Sequence, residues 1–310
     1  MEPTEPIARY RRFLKRRNYS VHTVRNYMYV LGQFFAWLSV PLQQATFKET
    51  DAYMDYLLRR RRKPKTINCH LNCIHRFYEY LTEDEAIPLA NPVRKNYRLR
   101  LPRPLPRHLR DEQVAVLFKE MNNARDRAMF MLMLRCGLRV QEVARLTLDA
   151  IEHRSRQLCV FNGKGGKDRI VYLSEDAQTA LEEYMAKRRW SKERRVFLVR
   201  KGPLRGKPIS VRGIQKRIEY YAKTTGINVS CHHLRHTMAT QLLNADADLV
   251  TIQDLLGHSK ITTTQCYCRV SNLKVQRDYH KAINIVLQRT QPIRQNNSQW
   301  SKKRLSEHSI

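Results

Sequence analysis

Apolar residues recur every three to four positions in the first ninety residues, which predicts a small bundle of helices. One helix is predicted to begin after the N-cap residue Ser20 and to end before Pro41. A second is predicted to begin at Thr50 and a third at Thr66. Their apolar faces contain Val24, Tyr27, Met28, Leu31, Phe34, Phe35 and Leu38, then Tyr53, Tyr56 and Leu57, then Ile67, Leu71, Ile74, Tyr78 and Leu81.

The pattern changes over residues 88–108, where five prolines and six arginines or lysines stand close together. Proline fixes the backbone and lacks the N–H that a helix needs, so this stretch is predicted to be extended and stiff. We therefore expect a helical domain over residues 1–90, a basic linker over 91–108, a second domain over 109–290, and a polar, disordered tail over 291–310.

The second domain mixes the periods of helices and strands. Helices are predicted over residues 111–121 and 124–136, and Gly137 suits the left-handed position that ends a helix. Two β-rich runs at 157–162 and 168–173 flank a glycine-rich turn, which predicts a hairpin. Further helices are predicted from Ser174, Ser210, His233 and Asp248, and over residues 272–288. The fold class is therefore mostly α with a small β-hairpin or sheet.

The charge of the chain changes the picture, because 58 Lys and Arg against 28 Asp and Glu give a formal net charge of +30. Such an excess indicates a polyanionic partner, with nucleic acid the leading class. Residues 1–107 hold 21 basic and 9 acidic side chains, and the remainder holds 37 and 19. Since both parts are basic, we expect two bodies that clamp one DNA duplex between them.

A membrane partner is not expected, because no apolar run approaches the ~18 residues of a transmembrane helix. The N-terminal residues contain no apolar signal core. The seven cysteines are odd in number and lie mostly in helix-like segments, which favours reduced thiols over disulfides. A cytoplasmic protein is therefore expected.

Two groups of basic residues are candidates for contacts to DNA phosphates. One follows the second predicted helix, and the other lies in the proline-rich linker. They are Arg59, Arg60, Arg61, Arg62, Lys63 and Lys65, and Arg98, Arg100 and Arg103. The alternative is a solvated surface with surplus charge.

Four motifs of the second domain place cationic or titratable residues beside turns or helix starts. They are CGLRVQEVARL (136–146), NGKGGKDR (162–169), HHLRHTMAT (232–240) and LGHSKITTTQCY (256–267). In this order they resemble the tyrosine recombinase (phage integrase) family. The segments NYSVHTVRNYMYVLGQFFAWL and KPKTINCHLNCIHRFYEYL are similar to the family's SAM-like core-binding domain, so the resemblance spans nearly the whole chain.

The resemblance implies six catalytic residues, taken from the GLR motif, the hairpin GKG, the His-x-x-Arg pair, the LGH histidine and a tyrosine nine residues after it. They are Arg139, Lys164, His232, Arg235, His258 and the nucleophile Tyr267. This chain departs from the family at Cys268 and Arg269, where threonine and histidine often follow the tyrosine. It also has Cys136 where threonine is common.

These residue types suit transfer at a phosphodiester. Two guanidiniums can hold the non-bridging oxygens through charge-assisted hydrogen bonds. A phenol with a pKa of about 10 can attack the phosphate and leave again. Lys164 is expected to protonate the departing 5′ oxygen, His232 to act as acid or base toward the tyrosine, and His258 to orient the phosphate. The chemistry needs no metal, nucleotide or other cofactor.

Other residues compete for these roles or have structural interpretations. Glu142 is expected to hold a guanidinium in place, and His236 to pack or cap within its helix. The competing nucleophiles are Tyr220, Tyr221 and Tyr279, the competing cations are Lys167 and Arg169, and the competing histidine is His233.

A zinc site is an unfavoured alternative. The motifs contain the ligand types of zinc but lack its paired cysteine spacing, so no metal site is expected. The residues concerned are Cys231, His232, His233, His236, His258, Cys266 and Cys268.

The predicted function is site-specific DNA recombination through a 3′-phosphotyrosyl intermediate, for integration, excision or resolution of a mobile element or replicon. The resemblance implies a double-stranded core site with inverted repeats and a homotetramer at synapsis, in a prokaryotic-type nucleoid. The helix over 272–288 either docks on a neighbouring subunit or packs on its own domain. Two alternatives are a catalytically inactive DNA-binding protein of the same fold and an enzyme that relaxes DNA like a type IB topoisomerase.

Overall fold

The computed structural model describes residues 4–94, 97–102, 106–161, 168–188, 191–258, 261–267 and 272–290. The chain divides into two compact units, Met1–Arg103 and Pro104–Ile310. Each unit has a hydrophobic core of its own. The described part is mostly helical with one small sheet, so the predicted fold class is confirmed. None of its helices combines the length and the apolar character that crossing a bilayer requires.

The first unit contains helices α1 (Thr4–Arg16), α2 (Val21–Trp37), α3 (Phe47–Arg59) and α4 (Pro64–Glu83). Aromatic rings dominate its core, where Phe34, Tyr53, Phe77 and Tyr78 are completely buried. The hydroxyl of Tyr78 donates to the carbonyl of Leu42, which satisfies a polar group inside the core. The helical bundle predicted for the N-terminal region is therefore present.

Capping chemistry sets the ends of these helices. Ser20 caps α2, as predicted. Helix α3 begins before the predicted start at Thr50, because Thr46 caps it and Glu49 completes a capping box. Helix α4 begins at Pro64, two residues before the predicted start, since proline is favoured at the first helical position.

Helix α1 has no counterpart among the predicted helices. It carries many charges, but Tyr10 and Leu14 are buried and Ile7 packs against the same core. These three residues are spaced by three and four positions, which is the helical period. Packing of these three residues against the core stabilises α1. The helix was not predicted because the rest of its sequence is mostly polar.

Part of the proline-rich linker is fixed to the first unit. The side-chain amide of Asn68 on α4 donates to the carbonyl of Leu99 and its oxygen accepts from the N–H of Leu99, both at 2.9 Å. Arg98 and Arg100 flank this residue and are exposed. The described residues 97–102 contain no helix, in agreement with the extended segment predicted there.

The second unit is built around helix α6, whose residues are buried on nearly every face. Such a helix belongs to the centre of a domain rather than to its surface. The helices of this unit are α5 (Asp111–Lys119), α6 (Ala124–Arg135), α7 (Val140–Arg145), α8 (Glu175–Lys187), α9 (Val211–Thr225), α10 (Cys231–Asn244), α11 (Leu249–Leu256), α12 (Ile261–Thr264) and α13 (Asn272–Thr290).

Three antiparallel strands form a sheet in the order β1 (Ile151–Glu152), β2 (Gln157–Val160) and β3 (Arg169–Tyr172). Strand β2 pairs with β3, with Leu158 opposite Val171, so the predicted hairpin is confirmed. Strand β1 was not predicted, because two residues are too few to show a period. The turn predicted over residues 163–167 lies outside the described residues.

The last part of the second unit forms a smaller core between α10, α11 and a short 3-10 helix, Gln265–Tyr267. Met238, Leu243, Ile252 and Leu256 are buried there with Tyr267. Helix α10 begins at Cys231, earlier than predicted, because Ser230 caps it. The predicted cap Asp248 and the predicted stop Gly257 bound α11.

Candidate active site

The C-terminal end of α11 lies where several motifs of the second unit meet. Residues Leu255, Leu256 and Gly257 expose three successive backbone carbonyls, because the last carbonyls of a helix have no partner within it. A different arginine donates to each of them. Arg169 Nε donates to Leu255 at 2.8 Å, Arg235 Nη2 to Leu256, and Arg139 Nη2 to Gly257 at 3.2 Å. We call residues 255–257, with their three accepting carbonyls, the carbonyl turn.

Physical chemistry favours this arrangement. The C-terminal end of a helix carries partial negative charge, which attracts cations. Gly257 ends α11 in the left-handed conformation, at φ +60°. A Cβ at Gly257 would lie 3.0 Å from Arg169 Cδ, so glycine serves both the backbone conformation and the close approach of the arginine.

Glu142 on α7 binds two of the three arginines. Its carboxylate accepts two hydrogen bonds from Arg169, at 2.9 and 2.8 Å, and one from Arg139 Nη1 at 2.8 Å. It also accepts from the backbone N–H of Arg139 at 2.7 Å, which closes a capping box at the start of α7. The expectation that Glu142 holds a guanidinium is confirmed, and it holds two.

The electrostatics of Glu142 follow from these contacts. Burial on its own would raise the pKa of the carboxyl group, but the hydrogen bonds from Arg169 and Arg139 and the charge of Arg169 lower it to about 2. The side chains of Glu142 and Arg169 are only 8% and 9% exposed. The carboxylate is therefore ionised at neutral pH and compensates buried positive charge.

Arg235 is the most deeply buried of the three arginines, at 5% exposure. Its second anchor is the carbonyl of Gly137, which accepts from Nη1. Burial, reinforced by the charge of Arg139, lowers the pKa of Arg235 to about 9. The guanidinium thus stays charged at neutral pH, at a cost that an anion beside it would offset.

Tyr267 packs into the small core next to this turn and is 1% exposed. Its hydroxyl lies 2.8 Å from Nδ1 of His236 on α10. The sequence indicates only packing or capping for His236, whereas the structure places it on the hydroxyl of the predicted nucleophile. Burial, with the charges of His232, His233 and Arg235, lowers the pKa of His236 to about 4, so its ring is neutral at pH 7.

The two predicted catalytic histidines lie in the same region. Nδ1 of His258, directly after the carbonyl turn, is 3.0 Å from Oγ1 of Thr264. Burial and the charges of Arg235 and Arg139 lower its pKa to about 4. His232 lies on the first turn of α10 and is partly exposed; partial burial and Arg235 lower its pKa as well.

The structure thus brings five of the six predicted residues into one region: Arg139, His232, Arg235, His258 and Tyr267. Lys164 lies outside the described residues, as does Arg103 of the linker. The remaining predicted DNA contacts are exposed on the first unit: Arg59, Arg60, Arg61, Arg62, Lys63, Lys65, Arg98 and Arg100. Within the ranges given above, no three His, Cys, Asp or Glu side chains are grouped as a metal would require.

The sequence indicates Arg169 only as a substitute for the hairpin lysine, whereas the structure places it between Glu142 and the carbonyl of Leu255. A signal for its position exists, because side chains alternate along a strand and Arg169 shares the inward face of β3 with Val171. A charged residue on an inward face is rarely buried without a partner. That partner is Glu142.

Comparison with known sequences identifies the family of this chain. Residues 107–274 match the Phage integrase family, and residues 7–87 match the Phage integrase, N-terminal SAM-like domain. The chain therefore belongs to the phage integrase family, the family of the tyrosine recombinases.

Two relatives show how far the similarity extends. The chain is 31% identical to the tyrosine recombinase XerC of Staphylococcus saprophyticus over 284 residues, which is 86% of this chain and 92% of the relative. It is 29% identical to the tyrosine recombinase XerA of Pyrococcus horikoshii, over 87% of this chain and 90% of the relative.

Solved structures share the fold. A lambda integrase dimer bound to a COC′ core site superposes with a TM-score of 0.70 at 18% identity, covering 88% of this chain and 96% of that one. The Tn1549 transposon integrase in complex with transposon right end DNA gives a TM-score of 0.72 at 17% identity, with 84% and 94% covered.

Proposed function

We propose that this protein is a site-specific DNA recombinase that cuts and rejoins DNA through a 3′-phosphotyrosyl intermediate. The observation that carries the proposal is the carbonyl turn, which anchors Arg139 and Arg235 next to the small core that contains Tyr267. Each arginine keeps N–H groups beyond those used by its anchors, since a guanidinium has five. We propose that these donors bind the two non-bridging oxygens of the scissile phosphate.

The proposed cleavage step conserves the number of phosphodiester bonds. The Oη of Tyr267 forms a bond to phosphorus while the bond from phosphorus to the 5′ oxygen breaks. The phenolic proton passes to a base, and the departing 5′ oxygen gains a proton. Because the bond energy remains in the phosphotyrosine, the reverse attack by a 5′ hydroxyl rejoins a strand without ATP.

The proton transfers fall to residues beside the two arginines. Neutral His232 is the proposed acid and base toward Tyr267, since its lowered pKa keeps a free lone pair at pH 7. Lys164 is proposed to protonate the 5′ oxygen. His258 is proposed to donate a hydrogen bond to the phosphate while Thr264 fixes its ring.

The burial of Tyr267 adds a requirement. Tyr267 is 1% exposed in the free chain, so its hydroxyl has no path to a phosphate. We therefore propose that DNA binding moves the segment around Tyr267 and breaks its hydrogen bond to His236.

The exposed basic residues of the first unit are proposed to hold the duplex. The cluster Arg59–Lys63 with Lys65, and Arg98 and Arg100 of the linker, present cations that suit backbone phosphates. Such contacts position a duplex without reading its sequence. The proposed target is a core site with inverted repeats, and the proposed place of action is a prokaryotic-type nucleoid in the cytoplasm, because the substrate is DNA.

Recombination joins two duplexes that are each cut on both strands, so we propose four subunits at synapsis. Helix α13 is the proposed contact between neighbours. Tyr279 and Val286 on this helix are 60% and 48% exposed, although both have large apolar side chains. Removal of residues 272–310 should abolish synapsis on DNA with two sites; unchanged synapsis would show that α13 serves its own domain.

The test of the function uses a nicked duplex built from inverted repeats that flank the gene. Cleavage releases the short piece of DNA between the cleavage site and the nick, which carries the 5′ hydroxyl. Because this piece diffuses away, the strand cannot be rejoined, and the covalent adduct accumulates and is seen by denaturing electrophoresis. Wild-type protein should form the adduct, and Tyr267→Phe should not. The control Tyr220→Phe, which removes the hydroxyl of an exposed tyrosine on α9, should behave like wild type.

The two rival functions give different results in this test. A bound duplex with no adduct would indicate an inactive DNA-binding protein. If the protein forms the adduct and relaxes supercoiled DNA, but never exchanges strands between two sites, it is a topoisomerase.

A further inference from the structure

Arg169 joins three parts of the candidate active site. It stands at the start of β3, it forms a two-bond ion pair with Glu142, and it donates to the carbonyl of Leu255. Its side chain also fills the space that the absence of a Cβ leaves at Gly257, with Cδ 3.0 Å from the position of that Cβ. Each contact is on a segment that carries or adjoins a proposed catalytic residue.

The geometry assigns to Arg169 the role of a positioning residue for the cleavage reaction. Its Nη atoms fix the carboxylate of Glu142, and the same carboxylate fixes Nη1 and the backbone N–H of Arg139. Its Nε fixes the carbonyl turn, whose last carbonyl accepts from Nη2 of Arg139. Arg169 therefore determines both anchors of the guanidinium of Arg139. This inference rests on the proposed function.

The shape of the side chain is as important as its charge. A guanidinium presents a rigid fork, so it can bond both carboxylate oxygens while Nε reaches the carbonyl of Leu255. A lysine ammonium keeps the charge but has one nitrogen, which cannot reach all three acceptors. In Arg169→Lys the ammonium group should still compensate the negative charge of Glu142, but the guanidinium of Arg139 should lose its fixed orientation.

The expected effect is on the rate of cleavage rather than on binding. Misplacement of a group that holds the phosphate by about 1 Å costs on the order of 100-fold in rate. We expect Arg169→Lys to lower single-turnover adduct formation on the nicked duplex by that order, with an unchanged DNA affinity. The melting temperature should fall as well, because lysine cannot replace all three hydrogen bonds of the buried arginine. Arg154→Lys makes the same replacement at an exposed position and should cleave like wild type.

A second substrate separates positioning from general structural damage. A methylphosphonate at the scissile position replaces one non-bridging oxygen with an uncharged methyl group, which removes an acceptor for a guanidinium. If Arg169 acts through Arg139 on that oxygen, the defect of Arg169→Lys should shrink at least several-fold on one of the two methylphosphonate stereoisomers. An equal defect on the phosphodiester and on both stereoisomers would refute positioning.

The remaining outcomes are also decisive. Wild-type cleavage by Arg169→Lys would overturn the inference about Arg169 while leaving the proposed function intact. No adduct from the wild-type protein would overturn the proposed function instead. If Arg169→Lys fails to fold, Gly257→Ala, which keeps the charge of Arg169 and places a Cβ 3.0 Å from its Cδ, is measured on the same substrates and judged by the same ratio.

Discussion

Nδ1 of His236 lies 2.8 Å from the Oη of Tyr267, and this hydrogen bond spans 31 residues of sequence to join α10 to the short helix that ends at the nucleophile. Neutral imidazole accepts the phenolic hydrogen without any charge in the pair. The bond therefore satisfies a polar group inside the small core. It defines the resting position of the residue on which the proposed reaction depends.

The first prediction concerns the energy of this pair. His236→Leu should lower the free energy of unfolding by about 0.5–1.5 kcal/mol, because it removes the buried hydrogen bond between this ring and the Tyr267 hydroxyl. Tyr267→Phe should also destabilise the fold, and the double variant should cost less than the sum by about 0.5–1.5 kcal/mol. Urea unfolding of the four proteins measures this coupling. Strict additivity would show that the bond contributes nothing to stability.

The second prediction concerns pH. The folded-state pKa values of His236 and His258 are both about 4, below the ordinary value of 6.5. Between these values the unfolded chain binds protons that the folded chain does not, so the free energy of unfolding should fall as the pH drops from 6.5 toward 4. Well above pH 6.5 both residues are neutral in the folded and the unfolded chain, so they contribute no pH dependence there.

Thermal melting from pH 7.5 to pH 4.5 checks this prediction. His236→Gln, which cannot titrate, should make the fall shallower. His22→Gln serves as the matched control, because His22 is exposed, and it should not change the slope. A flat melting profile in the wild-type protein would contradict the prediction.

The third prediction concerns Glu142. Glu142→Gln removes the negative charge that compensates Arg169 and Arg139, and breaking a buried ion pair costs about 3–5 kcal/mol. Denaturant unfolding should show this loss at pH 7. Glu183→Gln, an exposed carboxylate on α8, should change the stability by less than about 0.5 kcal/mol. A similar small change at Glu142 would mean that the two arginines find other partners.

The fourth prediction concerns the basic cluster of the first unit. Replacing Arg61 and Arg62 with alanine should weaken DNA binding, because each arginine is proposed to neutralise a backbone phosphate. The slope of log affinity against log salt should fall by about 0.9 for each phosphate that the variant no longer neutralises. The cleavage rate at saturating DNA should not change. Replacing Arg11 and Arg12 on α1 removes the same charge and should reduce the slope by less. Equal slopes for the two pairs would indicate that only total charge matters.

The fifth prediction compares two glycines that end helices in the left-handed conformation. Gly257→Ala and Gly226→Ala both incur a backbone cost of about 1–2 kcal/mol. A Cβ at Gly226 meets nothing within 4 Å, whereas one at Gly257 meets Arg169 at 3.0 Å. Gly257→Ala should therefore destabilise more and also slow cleavage. Equal stability losses and equal cleavage rates would show that Arg169 moves away without consequence.

Much of this arrangement is predictable from the sequence, for identifiable reasons. Ser20 and Asp248 cap helices because their side chains satisfy free N–H groups, a local effect that sequence reveals. The hairpin of β2 and β3 follows from a change of period. Helix α1 was not predicted, because packing against residues distant in sequence stabilises it. Strand β1 was not predicted, because two residues are too few to show a pattern.

The site shows the same division. Motif spacing finds Arg139, Arg235 and Tyr267, because each stands in a short run of residues. It does not find the bond from His236 to Tyr267 or the ion pair from Arg169 to Glu142. Both contacts join segments that are far apart in sequence, and their partners are fixed only when the helices pack.

The carbonyl turn has a consequence for how the site tolerates mutation. Its three acceptors belong to the main chain, so no replacement of the side chains of Leu255 or Leu256 can delete them. Sequence change at these two positions is limited by packing alone, while Gly257 and the three arginines are under much tighter restriction. The acceptors that hold the three arginines should therefore survive most substitutions in this segment. Substitutions that disrupt the arrangement are expected at only four positions, which are Gly257 and the three arginines.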